Sequence, residues 1–374
     1  MTSSYLIVHL ITEKIQTPSY IEELRDSISA VQVPECLKSV GIQTLNISVI
    51  GDVGNGKSSL INTFSTALAP KNQNKIKLCA ITGQDEKSIT PGKERHPLTK
   101  SINIFDSAGI QPNDNSNAEI DSLAQGRLLD NFKQGEALTE DNQRFRSEAN
   151  LKGAPHVFIY VVDVGAAIND DSIRRCGDLI RLLRKHQVQT LVALTKLDLL
   201  QENGNPVLDE SDFGQALENG AVKKFIKEYA SKAKIPVHDI FPIFNYTGAN
   251  EKRSQVKDML ALILLDQAVH AINTYFERYT VVQIIDQNER NQGSFLLKNQ
   301  DMRLEEFSSD FKFKISHEGF TMKGFYKNDV LIPEIKWKTM VLDDIKVEKE
   351  TDDGFQTWIL KLQKDIVATP TPKG

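Results

Sequence analysis

From residue 45 to about 280, apolar runs of six to eight residues alternate with longer stretches of helical spacing. The runs are LNISVI (45–50), SINIFD (101–106), HVFIYVVD (156–163), QTLVALT (189–195) and IFPIFN (240–245). They are rich in Val, Ile and Phe, which predicts strands buried on both faces. Helical patterns fall at 58–68, 119–133, 170–186, about 211–232 and 255–277, and a shorter amphipathic one at 19–30. Asp170 and Asp171 suit the start of their helix. The 255–277 segment is apolar on much of its circumference and reads as a core helix; a zipper is the alternative, without a sustained heptad to support it. Strand and helix in alternation predict an α/β fold, three layers around a mostly parallel sheet.

After Tyr279 the period changes to two. FKFKI (311–315), GFTMKGFY (319–326), IKWK (335–338), IKVEKE (345–350) and FQTWILKL (355–362) read as strands, with turn signals at 317–319, 327–329 and 352–354. The expected organisation is a lead-in over 1–44, an α/β domain over 45–280, a smaller all-β domain over 281–366 and a flexible tail over 367–374. Two strands near the end resemble barrels of the pleckstrin-homology type, a likeness of fold that says little about ligand. Lysines at 312, 314, 323, 327, 336 and 338 either form a basic face for membrane lipid or are the exposed sides of strands.

The chemistry begins where the first apolar run meets the first helix. Gly51-x4-Gly56-Lys57-Ser58 has the spacing of a phosphate-binding loop. Glycines at 51, 54 and 56 let successive N–H groups turn toward anionic oxygens. Asp52, Val53, Gly54, Asn55, Gly56, Lys57, Ser58 and Ser59 are thus candidate contacts for a nucleoside triphosphate. Lys57 neutralises phosphate, Ser58 ligates Mg2+, and the helix N-terminus adds its dipole. The α/β domain is accordingly a P-loop NTPase domain.

Two later features select the base and the metal chemistry. Asp106-Ser107-Ala108-Gly109 ends a predicted strand as D-x-x-G, about 50 residues after the loop lysine; Asp106 would hold Mg2+ and the Gly109 amide would meet the γ-phosphate. Thr195-Lys196-Leu197-Asp198 ends another. A carboxylate at 198 accepts from guanine N1–H and its 2-amino group, neither of which adenine offers, and Lys196 covers the base. The expected ligands are GTP and GDP with Mg2+. In the segment 80–100 a threonine should close on the metal and γ-phosphate: Thr90 first, then Thr82 and Ser88. Lys93, Arg95 and Lys100 beside it read as solvated. The position after D-x-x-G, where many GTPases carry a water-orienting glutamine, holds Ile110, with Gln111 one residue displaced. Hydrolysis should be slow or depend on a partner or a second copy.

These segments resemble guanine-nucleotide switch proteins, and the TKLD form is similar to that of dynamin-like GTPases. GDVGNGKSSLINTF, FDSAG, AEIDSLAQGRLLDNFKQGEAL and IFNYTGANEKRSQVKDML resemble the interferon-induced protein 44-like GTPase family, over about residues 20–275. That resemblance implies an immune- or stress-linked GTP-binding protein. It also implies that Asn245 and Tyr246 stand where GTPases present backbone amides to the guanine O6.

Composition narrows the remaining possibilities. The 374 residues suffice for two domains, and 40% hydrophobic with 25% charged residues is ordinary for a globular protein. A formal charge of −5 speaks against a dominant nucleic-acid surface. Cys36, Cys79 and Cys176 form neither a disulfide framework nor a metal spacing, and no run of histidines suggests zinc. The apolar residues 5–11 are too few for a signal core and no span of about 20 apolar residues occurs, so a cytoplasmic location is expected. Three readings remain open: a GTP-hydrolysing switch acting through its β domain on a homodimer or effector, a non-hydrolysing GTP-bound scaffold, and an ATPase with Asp198 away from the base.

Overall fold

The computed structural model describes residues 18–73, 75–80, 93–107, 116–202, 205–206, 219–248, 250–285, 291–298, 316–317, 320–321, 345–352 and 355–362. Thr82, Ser88, Thr90, Gly109, Ile110 and Gln111 lie outside the described residues, as do the predicted strands 311–315 and 335–338, the six candidate lipid-facing lysines and the tail. The chain divides into two compact units, one of 1–32 with 44–275, the other of 33–43 with 276–374.

In chain order the helices and strands of the first stretch are α1 (Pro18–Ala30), α2 (Glu35–Ser39, in the second unit), β1 (Leu45–Ile50), α3 (Lys57–Ala67), β2 (Glu94–Pro97), β3 (Ile102–Asp106) and α4 (Ser116–Ala124). There follow β4 (Val157–Asp163), α5 (Val164–Ala167), α6 (Asp170–Lys185), β5 (Gln189–Thr195), the short pair β6 (Gln201–Glu202) and β7 (Asn205–Pro206), α7 (Gly220–Ala233), β8 (Ile240–Pro242) and α8 (Gln255–Phe276). Six strands make one sheet in the order β2-β3-β1-β4-β5-β8. β3, β1, β4, β5 and β8 run parallel, and β2 is an antiparallel edge.

Every residue of β1 and β3 is buried, which requires helices on both faces of the sheet. On one side α6 packs against α4 and α7. Elsewhere α1, α3 and α8 meet, where Arg25 donates to the Ala67 carbonyl and approaches Asp258. α8 is long and apolar enough to cross a membrane, yet 72% of its most apolar window is buried within the protein, as for a core helix. This is the three-layer α/β arrangement expected from the sequence. Because the strands are parallel, their carboxyl ends share one rim, where ligands of open α/β sheets bind. The register sets Asp106 beside Val49 and Thr195 beside Asp163 on that rim.

Four expectations about elements change. The helix predicted from about 211 begins at Gly220, capped by Asn219. The helix predicted over 119–133 ends at Ala124, and residues 125–154 form a long irregular insert. The strand predicted over 240–245 ends at Pro242. The segment 80–100, read as a loop, contains β2. Its side chains alternate between half-buried and exposed, the pattern of an edge strand with one open face.

Within the second unit, β9 (Tyr279–Ile285) pairs antiparallel with β10 (Asn291–Lys298), the short β11 (Ser316–His317) pairs with β12 (Phe320–Thr321), and β13 (Ile345–Asp352) pairs antiparallel with β14 (Phe355–Leu362). β14 lies parallel to β9, giving the order β10-β9-β14-β13. The register Asp352↔Phe355 leaves Asp353-Gly354 as a two-residue connection, the dipeptide such hairpins favour. The boundary drawn near 281 from the change of period falls inside β9.

Candidate functional site

The loop after β1 is shaped by contacts to its neighbours. Gly51 has φ +148, and a Cβ built there would stand 2.3 Å from the Val161 carbonyl oxygen of β4. No residue with a side chain fits that approach. Asn55, 4% exposed, donates from Nδ2 to the same Val161 oxygen at 3.1 Å. The Thr195 hydroxyl donates to the Asn55 carbonyl at 2.7 Å. The backbone is thereby fixed by β4 and β5 before any ligand arrives.

At the loop's mouth, Lys57 is 8% exposed and donates from Nζ to the Gly51 and Asp52 carbonyls, each at 3.1 Å. Burial lowers its pKa, and the nearby Asp106 and Asp52 carboxylates oppose that shift. Ser58 Oγ donates to Asp106 Oδ2 at 2.8 Å, and Ser107 Oγ ties the end of β3 to the Val49 carbonyl at 2.6 Å. A hydroxyl and a carboxylate held side by side are the oxygen donors that Mg2+ prefers. The residues present therefore fit a magnesium-bound phosphate chain. Val53 and Ser59 are half-buried beside this cluster and Gly54 is exposed.

The end of β5 is built differently. Lys196 adopts a left-handed conformation (φ 55), which turns the chain out of β5 into a short 3-10 turn over Leu197–Leu199. Leu197 is buried, whereas Lys196, Asp198 and Leu199 are exposed. Lys196 Nζ donates to Asp163 Oδ2 at 2.8 Å, and Asp163 Oδ1 caps α5 through the Ala166 amide at 2.7 Å.

Asn245 and Tyr246 are placed close to the loop but face inward. Asn245 Nδ2 donates to the Gly56 carbonyl at 3.2 Å, and Thr63 Oγ1 of α3 to Asn245 Oδ1 at 3.3 Å. Tyr246 is 1% exposed; its amide donates to Thr63 Oγ1 at 3.0 Å and its hydroxyl reaches Asp258 Oδ1 at 2.9 Å. Both side chains are committed to holding the loop. Arg253 completes the anchor: Nε donates to Asp258 Oδ2 at 2.6 Å, and its other nitrogens to carbonyls of residues 67, 69, 70 and 73 at the end of α3.

The described residues on either side of 81–92 are pinned. Before it, the fully buried Asn62 side chain of α3 accepts from the Cys79 and Ala80 amides at 2.8 Å each. After it, Lys93 is only 5% exposed, correcting the solvated reading. Its Nζ lies 4.0 Å from the Phe105 ring centroid and donates to the Leu128 carbonyl at 3.0 Å. The insert folded over β2 explains the burial, since Lys93 also exchanges backbone bonds with Phe132 and Asn131. Burial brings its pKa down to about 8, despite Asp130 nearby.

Sequence reasoning missed Asn62, Thr63, Asp163, Ser172, Arg175 and Arg253. A polar pair set between Leu60-Ile61 and Phe64 of α3, Asn62-Thr63, was the one available signal.

No family model matches the chain. A von Willebrand factor A domain-containing protein of Dictyostelium discoideum is 23% identical over 279 residues, which cover 68% of this chain and 34% of that relative. The chain thus spans about a third of that relative's length. Among solved structures it is similar to a probable GTP-binding protein engB, with 17% identity and a TM-score of 0.33 over 61% of this chain and 99% of that one. It is also similar to Toc33 from Arabidopsis thaliana in complex with GDP and Mg2+, with 13% identity and a TM-score of 0.38 over 68% and 94%. Likenesses of this size leave function to the site's own geometry.

Proposed function

We propose that this protein binds GTP and GDP with Mg2+ and serves as a guanine-nucleotide switch with slow hydrolysis of the β–γ bond. The observation that carries this reading is the Ser58–Asp106 pair, 2.8 Å apart, beside a buried lysine at the mouth of a pre-shaped loop. Lys57 and the amides of residues 52–59 would bind the phosphates, and Ser58, Asp106 and Thr90 would hold the metal. When bound, Mg2+ offsets charge on the β- and γ-phosphates. Gly109 would report the γ-phosphate. Asp198, with Lys196 and Thr195 behind it, would read guanine, helped by backbone groups of Asn245 and Tyr246.

The reading extends to partners. The second unit would pass the nucleotide state to an effector or a second copy; membrane lipid is a weaker alternative. The interferon-induced protein 44-like resemblance supports an immune- or stress-linked role, and three cysteines outside any disulfide support a cytosolic setting. A GTP-bound scaffold is the second reading, favoured by Ile110 where a water-orienting residue would stand.

The test is a binding series with GTP, GDP and ATP, with and without Mg2+, followed by single-turnover hydrolysis at rising protein concentration. Guanine-selective, Mg2+-strengthened binding is expected, with a rate that climbs with concentration. Equal binding of ATP would sink the guanine reading; a flat background rate would favour the scaffold.

A further inference from the structure

Asp52 stands inside a loop whose purpose, on the reading above, is to collect a polyanion. An acid there works against binding unless its charge is cancelled. Its carboxylate is turned onto α6, where Oδ2 accepts from Arg175 Nη2 at 2.9 Å and from Ser172 Oγ at 3.2 Å. Ser172 is itself locked, its amide capped by Asn169 Oδ1 at 3.0 Å. The buried Tyr160 and Cys176 lie near the pair.

We infer that Arg175 is a positioning and specificity-determining residue that neutralises Asp52 and so sets the preference for nucleoside triphosphate over diphosphate. The two α6 partners divide the work. Ser172 is neutral and can hold the Asp52 geometry by itself; only Arg175 cancels the charge. Removing Arg175 leaves a net negative charge beside Lys57, whose Nζ is bonded to the Asp52 carbonyl. That charge repels a triphosphate more than a diphosphate, because the triphosphate carries the greater negative charge. Arg175 is half-exposed, with 38% of its side chain accessible, so solvent and salt screen the effect.

The inference rests on the guanine-nucleotide reading, and the experiment separates the two. Titrate the full chain with GTP and GDP for wild type, Arg175→Ala, Arg175→Lys, Asp52→Asn and the Asp52→Asn/Arg175→Ala double variant, at low and high salt. Arg175→Ala should lower the GTP-to-GDP affinity ratio about threefold to tenfold at low salt, and less at high salt. Arg175→Lys should retain most of the ratio, and the double variant should restore it. Asp52→Asn alone leaves an unpaired cation and should shift the ratio the other way; it decides the matter if Arg175→Ala does not fold. GTP and GDP weakened alike, or a double variant no better than Arg175→Ala, would overturn the inference. A wild type that binds neither nucleotide would instead remove the reading beneath it.

Discussion

The two ends of the proposed nucleotide site are held by different physics. At the phosphate end the anchors are buried backbone and side-chain groups of β1, β3, β4 and β5, and Lys57, Asn55, Asp106 and Thr195 are all nearly inaccessible. At the base end the residues that would touch a ligand, Lys196 and Asp198, are exposed, and what is buried is their scaffolding. One half is preorganised, the other is completed by what binds. Mutations of the buried anchors at the phosphate end should therefore act on folding and on guanine and adenine nucleotides alike, and those at the base end on the choice of base.

The largest effect expected is at Gly51. An alanine there must move the Val161 carbonyl away from 2.3 Å and adopt a strained φ, costing more than about 3 kcal/mol of stability. Chemical denaturation of Gly51→Ala should show a lowered midpoint with binding of every nucleotide lost. A wild-type midpoint would mean that the loop is not braced against β4, and the contrast between the two ends would collapse.

Next comes Lys93, which braces β3 behind Asp106. Its amine faces Asp130, Arg95, Arg146, the Phe105 ring and the Leu128 and Gly153 carbonyls. Its pKa is about 8 in the folded protein against 10.5 ordinarily, so between those values the unfolded chain binds the extra proton. Stability contributed by this group rises with pH across that window, by roughly 3 kcal/mol in all, and the burial penalty is present in full below pH 8. Urea unfolding of wild type and Lys93→Met at several pH values from 7 to 10.5 isolates it. The stability of wild type relative to the variant should climb with pH; a constant difference would show that the amine is not buried as placed.

Asp198 tests the other end. An amide at 198 offers a donor where guanine needs an acceptor, so Asp198→Asn should lose GTP by roughly 2 kcal/mol and gain xanthosine triphosphate, whose O2 accepts. Stability should hardly move, because Asp198 is exposed. Competition binding with the two triphosphates and ATP gives the answer; an unchanged order of preference would place the base elsewhere.

What the sequence made legible follows the same division. Strands covered on both faces appear as unbroken apolar runs, so the boundaries of β1 and β5 match the expectation to the residue. The loop motif was legible because its chemistry permits few residue types. The stop of α4 at Ala124 was missed: Gly126 takes φ +68, its amide donates to Leu123 and that of Arg127 to Ser122, a left-handed helix end that overrode the apolar spacing beyond it. β2 was hidden because an edge strand needs no apolar alternation. Burial of Lys93 and the inward turn of Tyr246 depend on residues far away in sequence, the insert near 128–132 and Thr63, and no local pattern announces them.

The smallest expected effect probes how the base end is tied down. The Tyr246 hydroxyl accepts from the Ser254 amide at 2.8 Å and lies 2.9 Å from both the Ser254 carbonyl and Asp258 Oδ1. Tyr246→Phe keeps the ring in its buried site and removes only these bonds. Asp258 retains Arg253, while the Ser254 amide loses its acceptor, at a cost of about 1 kcal/mol. If the loop at 245–248 positions backbone groups for guanine, this loosening should lower the GTP-to-ATP affinity ratio about twofold to fivefold and leave the GTP-to-GDP ratio intact. The opposite pattern, a changed phosphate ratio with unaltered base preference, would mean that Asn245 and Tyr246 serve the phosphate loop through Gly56 and Thr63 alone. The line between the two ends would then have to be redrawn on the far side of residue 246.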